Sequence, residues 1–205
     1  MFPAQRLILK RAFDFTGALS GLILLSPLFL AISLLLIIKE PKSPLFFRQK
    51  RIGQFGKPFY ILKFTTMRGD EANDLPQNNI TVANDERFTP TGRLLNKYKL
   101  NELPQLWNVL KGEMSFVGPR PDVEGYADKL TGEDRKILLL KPGITGPATI
   151  KYRNEEELLA IQPDPLKYND EVIWPDKVRI NLDYLENQSF AGDLKIIFQT
   201  VFGSL

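Results

Sequence analysis

Cysteine and histidine are both absent from this 205-residue chain. Their absence excludes a thiolate nucleophile, an imidazole base, a Ser-His-Asp triad and a zinc site built from His or Cys. It also excludes disulfide bonds, which is typical of a reducing compartment. The sequence lacks a P-loop and a GxGxxG motif as well, the usual glycine-rich cradles for nucleotide phosphates. Any catalysis must therefore use Asp, Glu, Lys, Arg, Tyr, Ser or Thr side chains, with a hard cation held by oxygen atoms as a candidate helper.

Positive charge is concentrated in the N-terminal third. Residues 1–68 contain 11 Lys/Arg and 2 Asp/Glu, whereas residues 69–205 contain 16 Lys/Arg and 22 Asp/Glu, so the net charge of the chain is only +3. A basic segment suits either nucleic acid or an anionic membrane surface. The acidic balance of the remainder argues against a nucleic-acid binder, and we expect no nucleic-acid partner.

Residues 15–38 form a run of 24 positions without a charged side chain. A straight helix of this length would cover roughly 36 Å, enough to cross a hydrocarbon core of about 30 Å. Ser26-Pro27 lies at its midpoint, however, where the proline removes a backbone donor and breaks the helix, and where the Ser26 hydroxyl can return a hydrogen bond to a freed carbonyl. Both flanks are basic, which draws both ends to the cytoplasmic side. The sequence therefore favours a re-entrant helix-break-helix over a single span, with residues 1–40 as a membrane hairpin and residues 41–205 as a second domain.

The second domain is predicted to be α/β, mostly helical with a small β-hairpin. Strands are expected at 43–52 and 57–67 with a turn at 53–56, and residues 70–86 are expected to form a surface loop. Residues 141–147 are also expected to form a loop. Helices are expected at 92–97, 103–110, 126–140 on either side of Gly132, 155–161, 165–173, 177–186 and 192–202. The apolar residues of the last helix recur at helical spacing, which indicates packing on the core or on a membrane.

The densest cluster of turn-forming and catalytic-type residues is KYKLNELPQLWNVLKGEMSFVGPRPD, residues 97–122. Glu102 is a carboxylate near a helix start, where free N–H groups and the positive end of the helix dipole suit phosphates. The alternative is simple capping, with Asn101 as the N-cap and Glu102 and Pro104 in the first turn. Taken alone, the pattern favours capping, which is the commoner use of such residues.

Two cations are further candidates for anion binding. Pro119 and Pro121 hold Arg120 in a stiff, extended backbone, and a fixed guanidinium is a good bidentate phosphate ligand. A rigid surface turn with a solvated arginine explains the same pattern equally well. Lys63 lies on a predicted strand among apolar residues, so it either faces solvent or points at an anionic ligand. When Lys63 is considered by itself, the solvent-facing position is favoured.

In this combination and order, the motifs resemble the bacterial sugar transferase family, the monotopic phosphoglycosyl transferases that start surface-glycan assembly. Each piece is weak alone, whereas the ordered set is highly specific and covers nearly the whole chain. The chain is similar to the small form of the family, which is little more than the catalytic core. The matching pieces are Lys10-Arg11 with Asp14, Ser26-Pro27, Lys63-Phe64 with Thr66-Met67, and residues 102–105, 118–121, 141–146 and 184–196.

The resemblance implies a re-entrant membrane helix and a compact α/β domain on the cytoplasmic face of the bacterial inner membrane. It implies transfer of a phospho-sugar from a UDP-sugar to polyprenol (undecaprenyl) phosphate, with release of UMP and with Mg²⁺ as cofactor. This reaction would be the first membrane step of polysaccharide or glycoconjugate synthesis, with downstream glycosyltransferases as partners and a homodimer as the candidate assembly. The resemblance implies that Asn101 and Glu102 are the catalytic and metal-binding pair. It implies that the substrate phosphates are bound by Lys63, Pro119, Arg120 and Pro121. It implies that the membrane helix breaks at Ser26 and Pro27.

Position 101 departs from the family pattern, which places an attacking Asp where this chain has Asn. An amide oxygen is a poor nucleophile and a weaker Mg²⁺ ligand than a carboxylate. Four explanations fit: a substitution introduced to trap the intermediate, a working variant in which Glu102 takes over metal binding or attack, direct displacement by the acceptor phosphate, or a catalytically silent protein that binds UDP-sugar or partner enzymes. Because the rest of the site is intact, we expect activity, with Glu102 as the first candidate for the chemistry.

Overall fold

The computed structural model describes residues 4–68 and 86–203, and side chains from residue 8 onwards. The predicted loop at 70–86 therefore lies outside the described residues, apart from Glu86. The helices are α1 (Ala4–Leu24), α2 (Ser26–Lys39), α3 (Pro90–Lys97), α4 (Gln105–Lys111), α5 (Pro147–Lys151), α6 (Glu155–Ala160), α7 (Pro165–Tyr168), α8 (Trp174–Asn187) and α9 (Phe190–Phe202). The strands are β1 (Phe46–Ile52), β2 (Pro58–Phe64), β3 (Ser115–Val117) and β4 (Gly143–Thr145).

The apolar run breaks where the sequence predicts. Helices α1 and α2 meet at Leu25 and are bent by 59° relative to each other. Pro27 cannot donate to the carbonyl of Ile23, four residues earlier, and the Ser26 hydroxyl donates to that same carbonyl at 2.8 Å. Within the described residues, no single helix has the length and hydropathy to cross a bilayer, whereas the bent pair together meets both criteria.

Helix α1 is fastened to the remainder of the protein by three polar residues of its N-terminal half. Arg11 donates to the carbonyls of Val109 and Leu110 at the end of α4, at 2.7 and 2.8 Å. Lys10 forms a 2.6 Å ion pair with the buried Asp193 of α9. Asp14 is 2% exposed and accepts hydrogen bonds from the Ser115 hydroxyl and the Phe116 amide of β3. These contacts hold the apolar helix pair against the part of the molecule that carries the site.

The described residues form two small two-stranded sheets. The predicted hairpin is confirmed: β1 pairs antiparallel with β2, from Phe46 opposite Phe64 to Ile52 opposite Pro58. The second sheet pairs β3 with β4 in parallel, and the sequence analysis missed both strands. Each has only three residues, too few to show an alternating pattern.

Two of the predicted helix and loop assignments need correction. Residues 126–140 contain only short 3-10 turns, at 127–129 and 134–139, rather than the predicted pair of helices. The predicted loop at 141–147 contains strand β4, and α5 begins directly after it with Pro147 in its first turn. The remaining predicted helices are present, with ends displaced by a few residues. The longest of them, α8, begins at Trp174 and is preceded by a π-helical turn at Asn169–Ile173.

Candidate active site

The structure places Glu102 between two cations. Lys63 Nζ lies 3.0 Å from Glu102 Oε1, and Arg120 Nη2 lies 2.6 Å from the same oxygen. Arg120 Nη1 makes a longer contact of 3.4 Å with Oε2. The Glu102 and Lys63 side chains are 10% and 16% exposed, whereas that of Arg120 is 44% exposed. Lys63 therefore points at an anion rather than at solvent, and Arg120 connects a buried ion cluster to the surface.

Electrostatics keep this cluster charged at neutral pH. Burial disfavours a charged Glu102, but Arg120 and Lys63 outweigh it and hold the pKa of Glu102 well below its usual range. Burial lowers the pKa of Lys63 to about 8, with Glu102 opposing the shift and Arg120 adding to it. The neighbouring Glu102 raises the pKa of Arg120. Two cations face one carboxylate, so the cluster has a surplus positive charge available for a phosphate.

A buried amide holds helix α4 against the strand that carries Lys63. Asn108 of α4 accepts a hydrogen bond from the Leu62 amide at 3.1 Å, and it donates to the Tyr60 carbonyl and to Glu113, both at 2.8 Å. It thereby ties α4 to strand β2, the strand that carries Lys63. The sequence analysis did not single out Asn108, because an Asn within a helical pattern carries no signal of a cross-element contact.

Arg120 is positioned by close packing between two glycine-containing segments. The Gly118 amide donates to the Thr145 carbonyl at 2.9 Å, and the Gly143 amide donates to the Pro119 carbonyl at 2.7 Å. A Cβ on Gly118 would lie 2.2 Å from the Lys141 carbonyl oxygen, and one on Gly146 would lie 2.3 Å from the Gly118 oxygen. The KPGITG segment therefore supports the GPRP turn. Pro119 and Pro121 are buried on either side of the exposed Arg120 and act through the backbone.

The capping interpretation of Asn101 is wrong. Asn101 and Glu102 lie in a 3-10 turn at Leu100–Glu102, and α4 begins only at Gln105 with Pro104 before it. The turn follows Lys99, whose φ of 55° is uncommon for a residue with a side chain. Asn101 is 5% exposed, and its Oδ1 has no hydrogen-bond partner in the part of the chain that the structure describes. A buried acceptor without a partner costs about 1–3 kcal/mol, so a ligand that binds it recovers that cost.

The donor atoms at positions 101 and 102 suit a magnesium ion held mainly by its substrate. Among the described residues, no group of three or more Asp, Glu, His or Cys side chains could hold a metal ion. Mg²⁺ in phosphate-transfer sites commonly takes only one or two protein ligands, together with water and substrate phosphates. Among the described residues, Asn101 Oδ1 has no partner and Glu102 Oε2 has only the long contact to Arg120, so both oxygens match that requirement.

Asp122 is a further charged residue of the site that the sequence analysis did not select. Burial raises its pKa to about 6, although Lys177, Arg51 and Arg120 act in the opposite direction. Such a shift, next to an arginine that faces an anion site, is typical of functional positions. Its position two residues after Arg120 in VGPRPD is the only sequence signal that could have identified it.

We expect Asp122→Asn to stabilise the protein above pH 6. The native pKa is raised above the ordinary value, so the native state binds more protons than the unfolded state between about pH 4 and pH 6. The stability of the natural chain therefore falls as pH rises through that window, by about 1–3 kcal/mol. The variant should have a higher melting temperature at pH 8 and an unchanged one at pH 3.5. An equal shift at both pH values would contradict the assignment.

The chain is similar in sequence to several known proteins. Residues 5–205 match the model of the bacterial sugar transferase family. The uncharacterized sugar transferase EpsL of Bacillus subtilis is 39% identical over 198 residues, 95% of this chain and 86% of that protein. The exopolysaccharide production protein ExoY of Rhizobium meliloti is 36% identical over 205 residues, 94% of this chain and 83% of that protein. The UDP-glucose:undecaprenyl-phosphate glucose-1-phosphate transferase of Escherichia coli is 37% identical over 199 residues, 95% of this chain but only 40% of that protein.

The chain belongs to the bacterial sugar transferase family, as the ordered motifs predict, and it is a sugar-phosphate transferase. The structure brings Lys63, Glu102 and Arg120 together and buries Asn101 beside Glu102. Ser26 and Pro27 are not part of this cluster and lie at the break between α1 and α2. The roles that the resemblance implies for these residues remain predictions.

Proposed function

We propose that this protein transfers a sugar-1-phosphate from a UDP-sugar to polyprenol phosphate and releases UMP, as a membrane step of exopolysaccharide synthesis. The observation that carries this proposal is the ion cluster of Lys63, Glu102 and Arg120, in which two cations face a single carboxylate. A diphosphate bound there would meet a surplus of positive charge in a site with little water. The names of its relatives, which include a UDP-galactose-lipid carrier transferase of Erwinia amylovora, support the same reaction class.

In this proposal, the cations of the cluster bind and orient the sugar diphosphate. Arg120, which is partly exposed, takes phosphate oxygens in a bidentate contact. Lys63 neutralises charge that builds up on the departing UMP, because positioned cations stabilise developing charge in phosphoryl transfer. Glu102 keeps both cations charged and in place. Magnesium, bound through Asn101 Oδ1, Glu102 and the substrate phosphates, would supply further neutralisation of the diphosphate.

We further propose that the acceptor attacks directly. Glu102 is engaged by two cations that hold its pKa well below the usual range, which makes its carboxylate a poor nucleophile. Asn101 carries no charge. The polyprenol phosphate is already an anion, so that its oxygen can bond to the β-phosphorus while the bond from that phosphorus to the UMP oxygen breaks, and no base is required.

The test is release of UMP from the purified chain, supplied with polyprenol phosphate, Mg²⁺ and a panel of UDP-sugars. UMP release that depends on the lipid acceptor supports the proposal. If no UDP-sugar gives UMP but UDP-sugar binds measurably, the protein is instead a catalytically silent, membrane-docked binding protein. That alternative is favoured by the missing carboxylate at Asn101.

We also propose that the bent pair α1 and α2 enters and leaves the cytoplasmic face of the bacterial inner membrane. Because the chain contains no cysteine, single-cysteine variants report one site each. We expect Gln5→Cys and Glu133→Cys to react with a membrane-impermeant maleimide in inside-out vesicles and not in intact spheroplasts. Labelling of the two positions from opposite sides would show a spanning segment.

A further inference from the structure

A cavity lies where α2 ends, beside the strand that carries Lys63. Its volume is about 110 Å³. Leu36 and Ile37 come from the last turns of α2. The other lining residues come from the connection to β1, from the segment directly after β2 and, in the case of Thr89, from the N-cap of α3. The apolar part of the wall consists of Leu36, Ile37, Pro41, Pro44, Leu45 and Met67. An apolar cavity of comparable size, about 150 Å³, holds a molecule as large as benzene.

Thr65 is the residue of the cavity wall that lies closest to Lys63 along the chain. Thr65 lines the cavity and is 8% exposed, and its buried Oγ1 has no hydrogen-bond partner among residues 4–68 and 86–203. Its backbone amide is satisfied by the Leu45 carbonyl at 3.1 Å. Thr65 follows Lys63 by two residues of extended chain, so their Cα atoms are about 7 Å apart. The cavity and the phosphate-binding cations are therefore neighbours along one strand.

Charged side chains determine how a ligand with a phosphate group would be oriented in the cavity. Glu40 lines it at the end of α2, where a carboxylate would repel a phosphate. Lys63 is two residues from Thr65 along the chain, and the cations of its cluster attract a phosphate. An occupant with a phosphate and an adjoining hydrocarbon would place the phosphate towards Lys63 and the hydrocarbon against the six apolar residues. The Thr65 hydroxyl would lie at the boundary between the two.

We propose that this cavity binds the first isoprene unit of the polyprenol phosphate acceptor, with the Thr65 hydroxyl donating to its phosphate. The inference rests on the proposed function, and it adds the place where the acceptor is held. The cavity adjoins the apolar surface of α2, where Ile37 and Ile38 are 56% and 71% exposed. A lipid lying along that surface could insert its phosphate end without leaving the hydrocarbon phase.

Kinetics with two matched pairs of variants test this site. Thr65→Val removes the hydroxyl and keeps the shape, and Thr65→Ser keeps the hydroxyl. A lost hydrogen bond to a charged group predicts that Thr65→Val raises KM for polyprenol phosphate about tenfold or more, whereas Thr65→Ser changes it little. Ser43→Leu, which adds volume at the cavity wall, should also raise that KM, and Thr131→Leu on the exposed surface should not. KM for UDP-sugar should stay unchanged in all four variants.

A photoaffinity experiment separates this inference from the proposed function. The probe is a short polyprenyl phosphate with a diazirine in its first isoprene unit, added to the wild-type protein in detergent. We expect crosslinks at residues 36–45 or at Met67, and fewer in Ser43→Leu. Crosslinks confined to other residues would overturn the inference, as would an unchanged lipid KM in Thr65→Val and Ser43→Leu. If the chain releases no UMP, the proposed function fails and the position of the crosslinks alone decides whether the cavity binds the lipid.

Discussion

Asn101→Asp is expected to switch on exchange of labelled UMP into UDP-sugar in the absence of a lipid acceptor. A covalent route forms a phospho-sugar on the enzyme and frees UMP before the acceptor binds, so the first step can run backwards with labelled UMP. Direct displacement has no such step, and the natural chain should show only background exchange. Because a positioned nucleophile reaches an effective molarity of about 10⁵ M or more, we expect exchange to rise at least about 100-fold in the variant.

The structure provides a matched control for this experiment. Asn181 of α8 is 4% exposed, much like Asn101 at 5%, and its buried Oδ1 also has no partner among the residues that the structure describes. Asn181→Asp therefore introduces a carboxylate into a comparably buried position without a known link to the ion cluster, and it should not promote exchange. Exchange by the natural chain would contradict direct displacement. A phospho-sugar trapped covalently on Glu102 and located by peptide mass spectrometry would then identify Glu102 as the attacking group.

The sequence predicts those parts of the protein that depend on local chemistry. The break at Ser26-Pro27 follows from one missing backbone donor, and the Ser26 hydroxyl bonds to the carbonyl that the proline leaves free. The hairpin of β1 and β2 follows from two apolar runs around a short turn. In both places the decisive atoms lie within a few residues of one another, so a local pattern is sufficient.

The parts that the sequence does not predict depend on contacts between distant segments. Strands β3 and β4 are held by backbone pairing between residues 115–117 and 143–145, and three glycines allow the close approach of these segments. The role of Asn108 depends on its reaching β2, 46 and 48 residues away along the chain. The choice between capping and an ion cluster at Glu102 was likewise decided by Lys63 and Arg120. Residue types alone made capping the better explanation.

Arg120→Ala is expected to lower kcat/KM by about 10²–10³-fold, the cost of removing one positioned charge-stabilising donor in other enzymes. Arg120→Lys keeps the charge but loses the planar pair of donors, so it should recover only part of the activity. The loss should appear in steady-state UMP release at saturating polyprenol phosphate. Because Lys63 still neutralises Glu102, the fold of Arg120→Ala should remain intact by circular dichroism.

Glu102→Gln should differ from both arginine variants by losing stability as well as activity. It leaves Lys63 and Arg120 close together without a counter-charge. Breaking a buried ion pair from one side typically costs about 3–5 kcal/mol, and the partial exposure of Arg120 places this case near the lower limit. Arg179→Ala serves as the control, because its 2.6 Å ion pair with Asp176 has the same length but lies on the surface. Solvent screens such a surface pair, so its loss should change the stability little. If Glu102→Gln were as stable as Arg179→Ala and retained full activity, Glu102 could not be the residue that holds the phosphate-binding cations in place.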